Sequence, residues 1–359
     1  MPRIFPLILP KISAGDETMT WHMPTETAPQ DRIWMAFPRE GATLGEGSAA
    51  REAGYAAWGT VANTIAARQP VTMIVDPTEG ARARRMLDSG IEIMERTIDD
   101  FWLRDSGPTF VHDAQGGLAA VDWIFNGWGG ADWTSSAHDR DLARFIAGVA
   151  GVPVVPSLLV NEGGGFHVDG AGTVLATETV QLGAERNPHA DAGRVAEEFA
   201  RTLGARKTIW LPRGLTRDYD PFGTRGHVDI VACLPAPGVI LLHEQRDPSH
   251  PDHAVMQAIR AQLEGETDAD GRRFEIIDVP APATLTDAHG FVDYSYINHL
   301  VINGAVIACT FGEAEADARA LEILGAAYPG REVVGVDARE LFARGGGIHC
   351  ITQQQPKAR

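Results

Sequence analysis

The chain has 359 residues, of which 44% are hydrophobic and 22% charged, and its formal net charge is −17 at pH 7. This composition is typical of a soluble globular protein. The excess of acid argues against nucleic-acid binding, which depends on Lys and Arg at phosphates, and it suits a cationic ligand. The apolar stretch at residues 4–10 is too short and too rich in proline for a membrane span or a secretory signal.

The three cysteines, Cys233, Cys309 and Cys350, are widely spaced and form no C-x-x-C pair. An odd number of cysteines in this arrangement predicts neither a disulfide framework nor a zinc site. Free thiols indicate a reducing compartment. We therefore expect a cytoplasmic protein.

Helical and strand-like patterns alternate along the whole chain. Apolar residues at helical spacing predict a helix over residues 55–65, and a buried strand follows at 71–75. A helix is predicted at about 79–88, and further helices at about 195–203, 254–263 and 313–326. Further strands are predicted at 91–94, 118–125, 152–160, 208–211, 228–234, 239–243, 274–279, 294–302, 305–311 and 332–336. This interleaving predicts an α/β fold, and no linker-like stretch divides the chain.

Residues capable of chemistry concentrate in four glycine-flanked segments. They are WLRDSGP at 102–108, NEGGGFHVDG at 161–170, GHVD at 226–229 and RGGGIHCITQQQP at 344–356. The second and fourth segments share a G-G-G-x-H frame. Such an internal echo indicates repeated supersecondary units.

Cys350 has glycines on one side and polar residues on the other, whereas a merely buried cysteine is normally set among apolar neighbours. We therefore predict that it faces a substrate. A thiolate needs a nearby base or positive charge to form near neutral pH. His227 and Asp229, which the pattern predicts on one face of a strand, supply a base and a carboxylate. A cationic substrate would supply charge, and carboxylates such as Asp105 would bind it in bidentate fashion.

Each of these residues also has a purely structural interpretation. Asp105 could cap a helix or pair with Arg104, and His227 with Asp229 could form a structural pair on a strand. Glu162 could bond loop amides beside its three glycines. The joint occurrence of four glycine-flanked segments with such residues favours a catalytic site.

The four segments resemble signature blocks of the agmatine deiminase family, guanidine-modifying enzymes of the pentein fold. The family patterns W-M-R-D-T-G-P, E-G-G-x-I-H-V-D-G, N-G-H-V-D and G-G-G-N-I-H-C-I-T-Q-Q correspond here to WLRDSGP, EGGGFHVDG, RGHVD and GGGIHCITQQ. Further matches are FNGWGG at 125–130, IWLPRG at 209–214 and SYIN at 295–298. The similarity extends from about residue 21 to residue 356.

The resemblance implies an α/β-propeller of five pseudo-symmetric ββαβ-like units around a central active-site channel. Residues 19–359 would form a single catalytic domain. Residues 1–18 match nothing in the family pattern, so we expect either a dispensable extension or an apolar arm packed on a partner subunit. The family also implies a homo-oligomer, either a dimer or a tetramer.

Carried over by position, the resemblance makes Cys350 the nucleophile and His227 the general acid and base. Asp105 and Asp229 would bind the guanidinium, and Glu162 would orient His227 or the substrate. The implied reaction converts agmatine and water to N-carbamoylputrescine and ammonia through a covalent thiouronium intermediate. The implied pocket lining consists of two aromatic residues, Trp102 and Trp128.

No metal or organic cofactor is expected, because the carboxylates and the charge of the substrate supply the electrostatics. A small cationic guanidine would be the binding partner, with neither nucleic acid nor membrane. Three departures from the family pattern leave other substrates open. Gly347 stands where the family usually has Asn, residues 285–293 form a shorter loop, and residues 131–136 lack an expected aromatic lid. Arginine, peptidyl arginine and other alkylguanidines therefore remain alternatives.

Two other classes of protein are possible from the residues alone. A metal-dependent ureohydrolase would need a cluster such as D-x-H-x-D, for which the chain offers His167-Val-Asp169, His227-Val-Asp229 and His250-Pro-Asp-His253. At most one of the two His-x-Asp pairs need be catalytic. A non-catalytic repeat scaffold would have no use for a thiol and carboxylates in matching glycine loops.

Overall fold

The computed structural model describes residues 20–359, so the extension predicted over residues 1–18 lies outside the described residues. The strands are β1 (Gln30–Ala36), β2 (Val71–Val75), β3 (Glu92–Glu95), β4 (Thr109–His112), β5 (Leu118–Ile124), β6 (Val154–Val160), β7 (Phe166–Val168), β8 (Thr173–Thr177), β9 (Lys207–Leu211), β10 (Ala232–Ala236), β11 (Val239–Glu244), β12 (Glu275–Pro280), β13 (Thr286–Asp287), β14 (Gly290–Phe291), β15 (Leu300–Ile302), β16 (Ala305–Thr310), β17 (Glu332–Asp337) and β18 (Thr352–Pro356). The α-helices are α1 (Ser48–Ala66), α2 (Gly80–Met86), α3 (Leu103–Ser106), α4 (Gly127–Gly130), α5 (Leu142–Ala150), α6 (Glu178–Gln181), α7 (Ala192–Leu203), α8 (Pro251–Glu264), α9 (Ala314–Ala327) and α10 (Arg339–Phe342).

Five sheets repeat one pairing pattern. In β4-β5-β6, β7-β8-β9, β10-β11-β12 and β15-β16-β17, the first two strands are antiparallel and the last two are parallel. In the remaining sheet, β18 is antiparallel to β1, β1 is parallel to β2, and β3 extends the edge. The short strands β13 and β14 form a separate hairpin. The same three-strand unit therefore occurs five times.

A helix connects the parallel strands of every unit, as a parallel pair requires a long crossover. These helices are α1, α5, α7, α8 and α9. Each unit thus has the order strand, strand, helix, strand. The five ββαβ-like units confirm the predicted α/β-propeller of the pentein type.

The five units close into a ring through strands from opposite ends of the chain. In the β1–β18 pair, Trp34 lies opposite Gln353 and Met35 opposite Thr352. The indole Nε1 of Trp34 also donates a hydrogen bond of 2.9 Å to Oε1 of Gln355. The segment that contains Cys350 is therefore fixed to the first unit through the strand that follows it.

Burial of apolar side chains explains why these elements form where they do. All five residues of β2 are buried, as expected for a strand covered on both faces. Helix α1 buries one stripe that includes Tyr55, Trp58 and Ile65, which is the spacing of a single helical face. Among residues 20–359, none of the helices combines the length and the apolar character that a bilayer span requires.

Two predicted strands are shorter than the sequence suggested. The strand expected at 228–234 starts as a 3-10 helix, Val228–Ile230, and β10 begins only at Ala232. The strand expected at 294–302 is confined to β15. Apolar periodicity alone does not separate a strand from another buried conformation over so few residues. The prediction that His227 and Asp229 share one face of a strand was therefore wrong.

Candidate active site

The predicted site residues lie in the segments that lead into the first strand of a unit. Asp105 lies in α3, just before β4, and Glu162 lies just before β7. His227 and Asp229 precede β10, and Cys350 precedes β18. Because the units are arranged in a ring, these equivalent segments meet at its centre. The structure brings all five residues together.

Cys350 is buried, with 7% of its surface exposed, but its thiol lies among polar groups. The sulfur is 3.4 Å from Oδ2 of Asp229 and accepts a hydrogen bond of 3.1 Å from Nδ2 of Asn298. Burial raises the pKa of the Cys350 thiol, and the carboxylates of Asp229 and Asp105 raise this pKa further. In the free protein at neutral pH the thiol is therefore protonated.

His227 lies between two carboxylates. Its Nδ1 is 3.8 Å from Oδ1 of Asp105, and its Nε2 is 3.4 Å from Oε2 of Glu162. Burial by itself lowers the pKa of His227, but Asp105 and Glu162 outweigh burial and raise this pKa to about 9. His227 is therefore an imidazolium at neutral pH.

The backbone before His227 is held by the carboxylate of Asp218. This carboxylate accepts hydrogen bonds from the backbone N–H groups of Thr224, Gly226 and His227, at 2.7, 2.7 and 2.9 Å. Gly226 has a φ of 112°, a conformation that L side chains rarely adopt. The hydrogen bonds to Asp218 thus fix residues 224–227, and this fixes the position of the His227 imidazole in the site.

Glu162 is fully buried and is paired with a buried arginine. The Nε atom of Arg186 lies 2.9 Å from each carboxylate oxygen of Glu162. Burial raises the pKa of Glu162, but Arg186 and His227 overcome this and hold the pKa below its usual value. Glu162 therefore contacts His227 as an anion, and its carboxylate does not bond loop amides, which was the structural alternative.

Asp105 neither caps a helix nor pairs with Arg104. Its Oδ2 accepts a hydrogen bond of 2.9 Å from the indole of Trp128, and its Oδ1 accepts one of 3.0 Å from the backbone of Gly164. Burial raises the pKa of Asp105, and the nearby Asp229 and Glu162 raise this pKa as well while His227 lowers it.

The two aromatic residues predicted to line the pocket lie near different groups of the site. Trp102 lies beside the nucleophile: a Cβ atom placed on Gly346 would be 2.9 Å from both Cζ3 of Trp102 and the sulfur of Cys350. Trp128 lies beside Asp105 and has a left-handed backbone, with φ 52° and ψ 46°.

A third aromatic residue, Trp133, packs against Trp128. The centroid of its ring lies 5.2 Å from that of Trp128, on which it stacks, and 4.9 Å from that of Phe222. Trp133 was not predicted from the sequence, because a single aromatic residue among residues 131–136 gives no pattern of an aromatic lid. Trp133 also contacts Phe222, which is distant in sequence, so this aromatic cluster joins two separate segments of the chain.

A second buried network, formed by His349 and Glu26, holds the carboxylate of Asp229 in position. Nδ1 of His349 lies 2.8 Å from Oδ2 of Asp229, and Nε2 of His349 lies 2.8 Å from Oε1 of Glu26. Burial and Arg104 lower the pKa of His349, but Glu26 and Asp229 outweigh them and raise it. In turn, His349 lowers the pKa of Asp229 against the effect of burial. Neither Glu26 nor His349 was predicted from the sequence to have this role.

Gly164 marks the point at which the polar groups converge. A Cβ atom at this position would lie 2.5 Å from Nδ1 of His227 and 3.1 Å from both Oδ1 of Asp105 and Oδ2 of Asp229. Nδ1 of His227 and Oδ1 of Asp229 are buried without a hydrogen-bond partner. Because unpaired buried polar atoms are costly, they indicate a site built for a polar ligand. Carboxylates on two sides suit a planar cation with several N–H donors.

The clusters considered for a metal site do not assemble as a ureohydrolase would need. Within residues 20–359, the acidic and histidine side chains close enough to share an ion are those of Glu26, His167 and His349. Arg104 lies 3.6 Å from Glu26, and both ring nitrogens of His349 already face carboxylates. His250 instead caps α8, where its Nδ1 accepts from the backbone N–H at position 252.

Comparison with known proteins assigns the class that this fold and site define. The model of the Porphyromonas-type peptidyl-arginine deiminase family matches residues 22–356. The chain belongs to this family. The resemblance seen in the four sequence segments is thereby confirmed.

Within the family, agmatine deiminases are close relatives. A protein from Streptomyces coelicolor is 52% identical over 340 residues, which cover 94% of this chain and 100% of that protein. The agmatine deiminase of Pseudomonas fluorescens is 38% identical over 359 residues, covering 94% and 95% of the two chains. The solved agmatine deiminase of Enterococcus faecalis has a TM-score of 0.87 and 33% identity, covering 95% of this chain and 97% of its own.

Proposed function

We propose that this protein hydrolyses agmatine to N-carbamoylputrescine and ammonia. The observation that carries the proposal is the convergence of the Cys350 thiol, the His227 imidazolium and the carboxylates of Asp105 and Asp229 on one buried point. The names of the Pseudomonas fluorescens and Enterococcus faecalis relatives support agmatine as the substrate.

Binding would begin with the guanidinium between Asp105 and Asp229. Its N–H groups would satisfy the unpaired Oδ1 of Asp229, and its plane would match the two carboxylates. The positive charge would also offset the two carboxylates that raise the pKa of Cys350. Entry of the cation would therefore favour loss of the thiol proton to solvent and formation of the nucleophile.

In the first half of the reaction, the Cys350 thiolate would attack the guanidinium carbon. The bond from that carbon to one terminal nitrogen would break, and His227 would give its proton to the departing ammonia. A pKa of about 9 keeps His227 in the acid form that this step needs. The product of this half is an S-alkylthiouronium on Cys350.

In the second half, the same imidazole would act as the base. Neutral His227 would take a proton from a water molecule that attacks the thiouronium carbon. The carbon–sulfur bond would then break, and the released thiolate would take up the remaining hydroxyl proton as the ureido carbonyl forms. Glu162, held as an anion by Arg186, would orient His227 in both halves. We assign the pocket lining to Trp102 and Trp128. The carboxylates and the charge of the substrate would supply the electrostatics, without a metal or an organic cofactor.

A substrate screen tests the proposal against the alternatives of arginine, peptidyl arginine and other alkylguanidines. Purified protein would be incubated with agmatine, free arginine and a blocked arginine peptide, and ammonia and the ureido product would be measured. We expect the highest kcat/KM with agmatine, and the Cys350→Ala variant provides the blank. A preference for another guanidine would reassign the substrate, and absence of ammonia from all of them would refute the proposal.

Three further proposals concern the whole protein in the cell. We propose a homo-oligomer, either a dimer or a tetramer, and a cytoplasmic location. We also propose that residues 19–359 form the single catalytic domain and that residues 1–18 are dispensable, since the family model begins its match at residue 22. Light scattering tests the oligomeric state, and the activity of a chain that lacks residues 1–18 tests whether those residues are dispensable. A monomeric or insoluble product would instead identify an arm that packs on a partner subunit.

A further inference from the structure

A cavity of about 380 Å³ lies beside the candidate active site, and the reaction steps above make no use of it. Its volume falls in the range of pockets that hold small molecules. It lies between residues 217–223, the loop that ends at Asp293 and the segment 342–345 that leads to Cys350. The titratable side chains in its wall are Arg217, Asp218, Asp220, His289, Asp293 and Arg344. The charges of these side chains therefore decide what the cavity can bind.

The cavity adjoins the nucleophile through the segment that carries it. Phe342 and Gly345 line the cavity. A Cβ atom on the next residue, Gly346, would lie 2.9 Å from the sulfur of Cys350. Because successive Cα atoms are only about 3.8 Å apart, this wall of the cavity lies one residue from a contact with the reacting sulfur.

The cavity also adjoins the guanidinium site through aromatic rings. Phe222 lines the cavity, and its ring contacts Trp133. Trp133 stacks on Trp128, whose indole donates to Asp105. Phe222 has a left-handed backbone, with a φ of 74°, and such a conformation in a non-glycine residue is common at functional sites. The cavity thus borders the site both at the nucleophile and at the carboxylate.

Asp293 is a buried acid in the wall of this cavity that lacks a partner. Its exposed fraction is 8%, and among residues 20–359 no other residue pairs with its carboxylate or donates a hydrogen bond to it. Burial and the nearby Asp218 raise the pKa of Asp293 to about 7, although Arg217 lowers it. Burying a carboxylate without a partner is costly. Asp293 therefore indicates a site for a cation.

The basic side chains of the wall are already engaged, unlike its carboxylates. Arg217 lies 2.9 Å from Asp287 and donates to a backbone carbonyl as well. Arg344 lies 2.8 Å from Glu340 and donates to two backbone carbonyls. Asp220 is exposed, and within the described part of the chain its carboxylate also has no partner. The unpaired charge in the cavity is therefore negative.

We propose that this cavity binds the ammonium end of agmatine, with Asp293 as the buried counter-ion and Asp220 as a second, exposed carboxylate. This inference rests on the proposed function and identifies a contact that selects the substrate. In extended agmatine six bonds separate the guanidinium carbon from the amine nitrogen, a distance of about 7 Å, as in two extended residues. Arginine carries a carboxylate on the carbon that bears the amine, and this carboxylate would be repelled by Asp293. The cavity therefore favours agmatine over arginine.

Ligand binding to Cys350→Ala tests the inference without turnover. Titration calorimetry would compare agmatine with butylguanidine, which has the same guanidinium and four-carbon chain but no amine. We expect agmatine to bind about tenfold to a hundredfold more tightly, because a contact between charged groups is gained. Adding Asp293→Asn should remove most of this preference and leave the affinity for butylguanidine unchanged.

A matched control separates the local contact from the change in net charge. Asp88→Asn removes the same charge from an exposed residue after helix α2, outside the cavity, and should leave the preference intact. Asp293→Asn should keep the Tm of the parent protein, since it removes a buried carboxylate without a partner. If it does not fold, Asp220→Asn decides, and we expect it to remove part of the preference.

Equal affinities for agmatine and butylguanidine would overturn the inference, as would a preference that survives Asp293→Asn or, where that variant does not fold, Asp220→Asn. The outcome is distinguishable from that of the proposed function. A preference that depends on Asp293, in a protein that releases ammonia from no guanidine, would support the ammonium site and refute the proposed reaction. Ammonia release from agmatine without such a preference would do the reverse.

Discussion

Glu162 and Arg186 form a buried ion pair in which one guanidinium nitrogen lies 2.9 Å from both carboxylate oxygens. The exposed fraction of the two side chains is 0% and 1%. Arg186 also donates from Nη2 to the carbonyl of Thr224, at 2.8 Å, three residues before His227. This arginine thus connects the carboxylate that faces His227 to the loop that carries His227.

Removing only the arginine of this pair should be costly. Arg186→Ala leaves the buried Glu162 carboxylate with only the longer contact to His227, and breaking a buried pair in this way typically costs about 3–5 kcal/mol. We expect that loss in the free energy of unfolding, measured by urea denaturation. The double variant Arg186→Met with Glu162→Gln should recover part of it. A loss below about 1 kcal/mol in Arg186→Ala would contradict the importance of the pair.

Only one of the three cysteines should be needed for turnover. We expect Cys350→Ala and Cys350→Ser to abolish ammonia release, since a hydroxyl at this site lacks the accessible anion of a thiol. Cys233→Ala is the matched control, because Cys233 is buried in strand β10 and its sulfur contacts the hydroxyl of Tyr328. Activity of Cys350→Ala within tenfold of wild type would exclude the covalent mechanism.

Loss of the imidazole should stop the reaction between its two halves or before the first. His227→Ala removes the only group assigned to protonate ammonia and to activate water. Intact-protein mass spectrometry after mixing with agmatine should show either a persistent adduct on Cys350 or no reaction. Ammonia release by His227→Ala at a rate close to wild type would show that the role assigned to His227 is wrong.

The raised pKa of His227 predicts alkaline limits to both activity and stability. Activity should fall as pH rises through about 9, because the acid form of His227 is lost. A group whose folded pKa is above its unfolded value of about 6.5 stabilises the fold fully below that pH. This contribution is lost as pH rises from about 6.5 through about 9. The difference in Tm between wild type and His227→Gln should therefore be smaller at pH 9.5 than at pH 6.5.

Gly164 should tolerate no side chain. A methyl group there would occupy the point between His227, Asp105 and Asp229, where we place the guanidinium. We expect Gly164→Ala to lower kcat/KM by more than about a hundredfold, which corresponds to a loss of about 3 kcal/mol of transition-state stabilisation. Gly148→Ala, whose added Cβ contacts nothing within 4 Å, should behave as wild type. Normal kinetics in Gly164→Ala would place the substrate elsewhere.

The sequence predicted the parts of the site that lie in short motifs. Cys350, His227 and Asp105 were found because glycines and polar residues surround them within a few positions. Their segments were foreseeable, but the conformation was not: His227 precedes a 3-10 turn and Asp229 lies within it, rather than both lying on a strand. Apolar residues in a buried turn have the same composition as those in a buried strand.

Residues whose roles depend on distant parts of the chain could not be predicted in this way. Glu26 acquires its role from His349, which is 323 positions away, and Arg186 acquires its own from Glu162. Neither lies in a recognisable motif. Asn298 did lie in a matched segment, SYIN, but nothing in that segment indicates that its amide contacts Cys350. Long-range pairing of this kind leaves no local pattern.

The closure of the ring through β1 and β18 makes the starting point of the chain arbitrary. His22 donates from its backbone to His112, and Arg359 donates to Gly116, so both ends of the described chain rest on the β4–β5 hairpin. A circular permutant that joins these ends and opens at the exposed turn of Gly271 would retain every unit. Its nucleophile would then lie in the first quarter of the gene product, with the same neighbours in space.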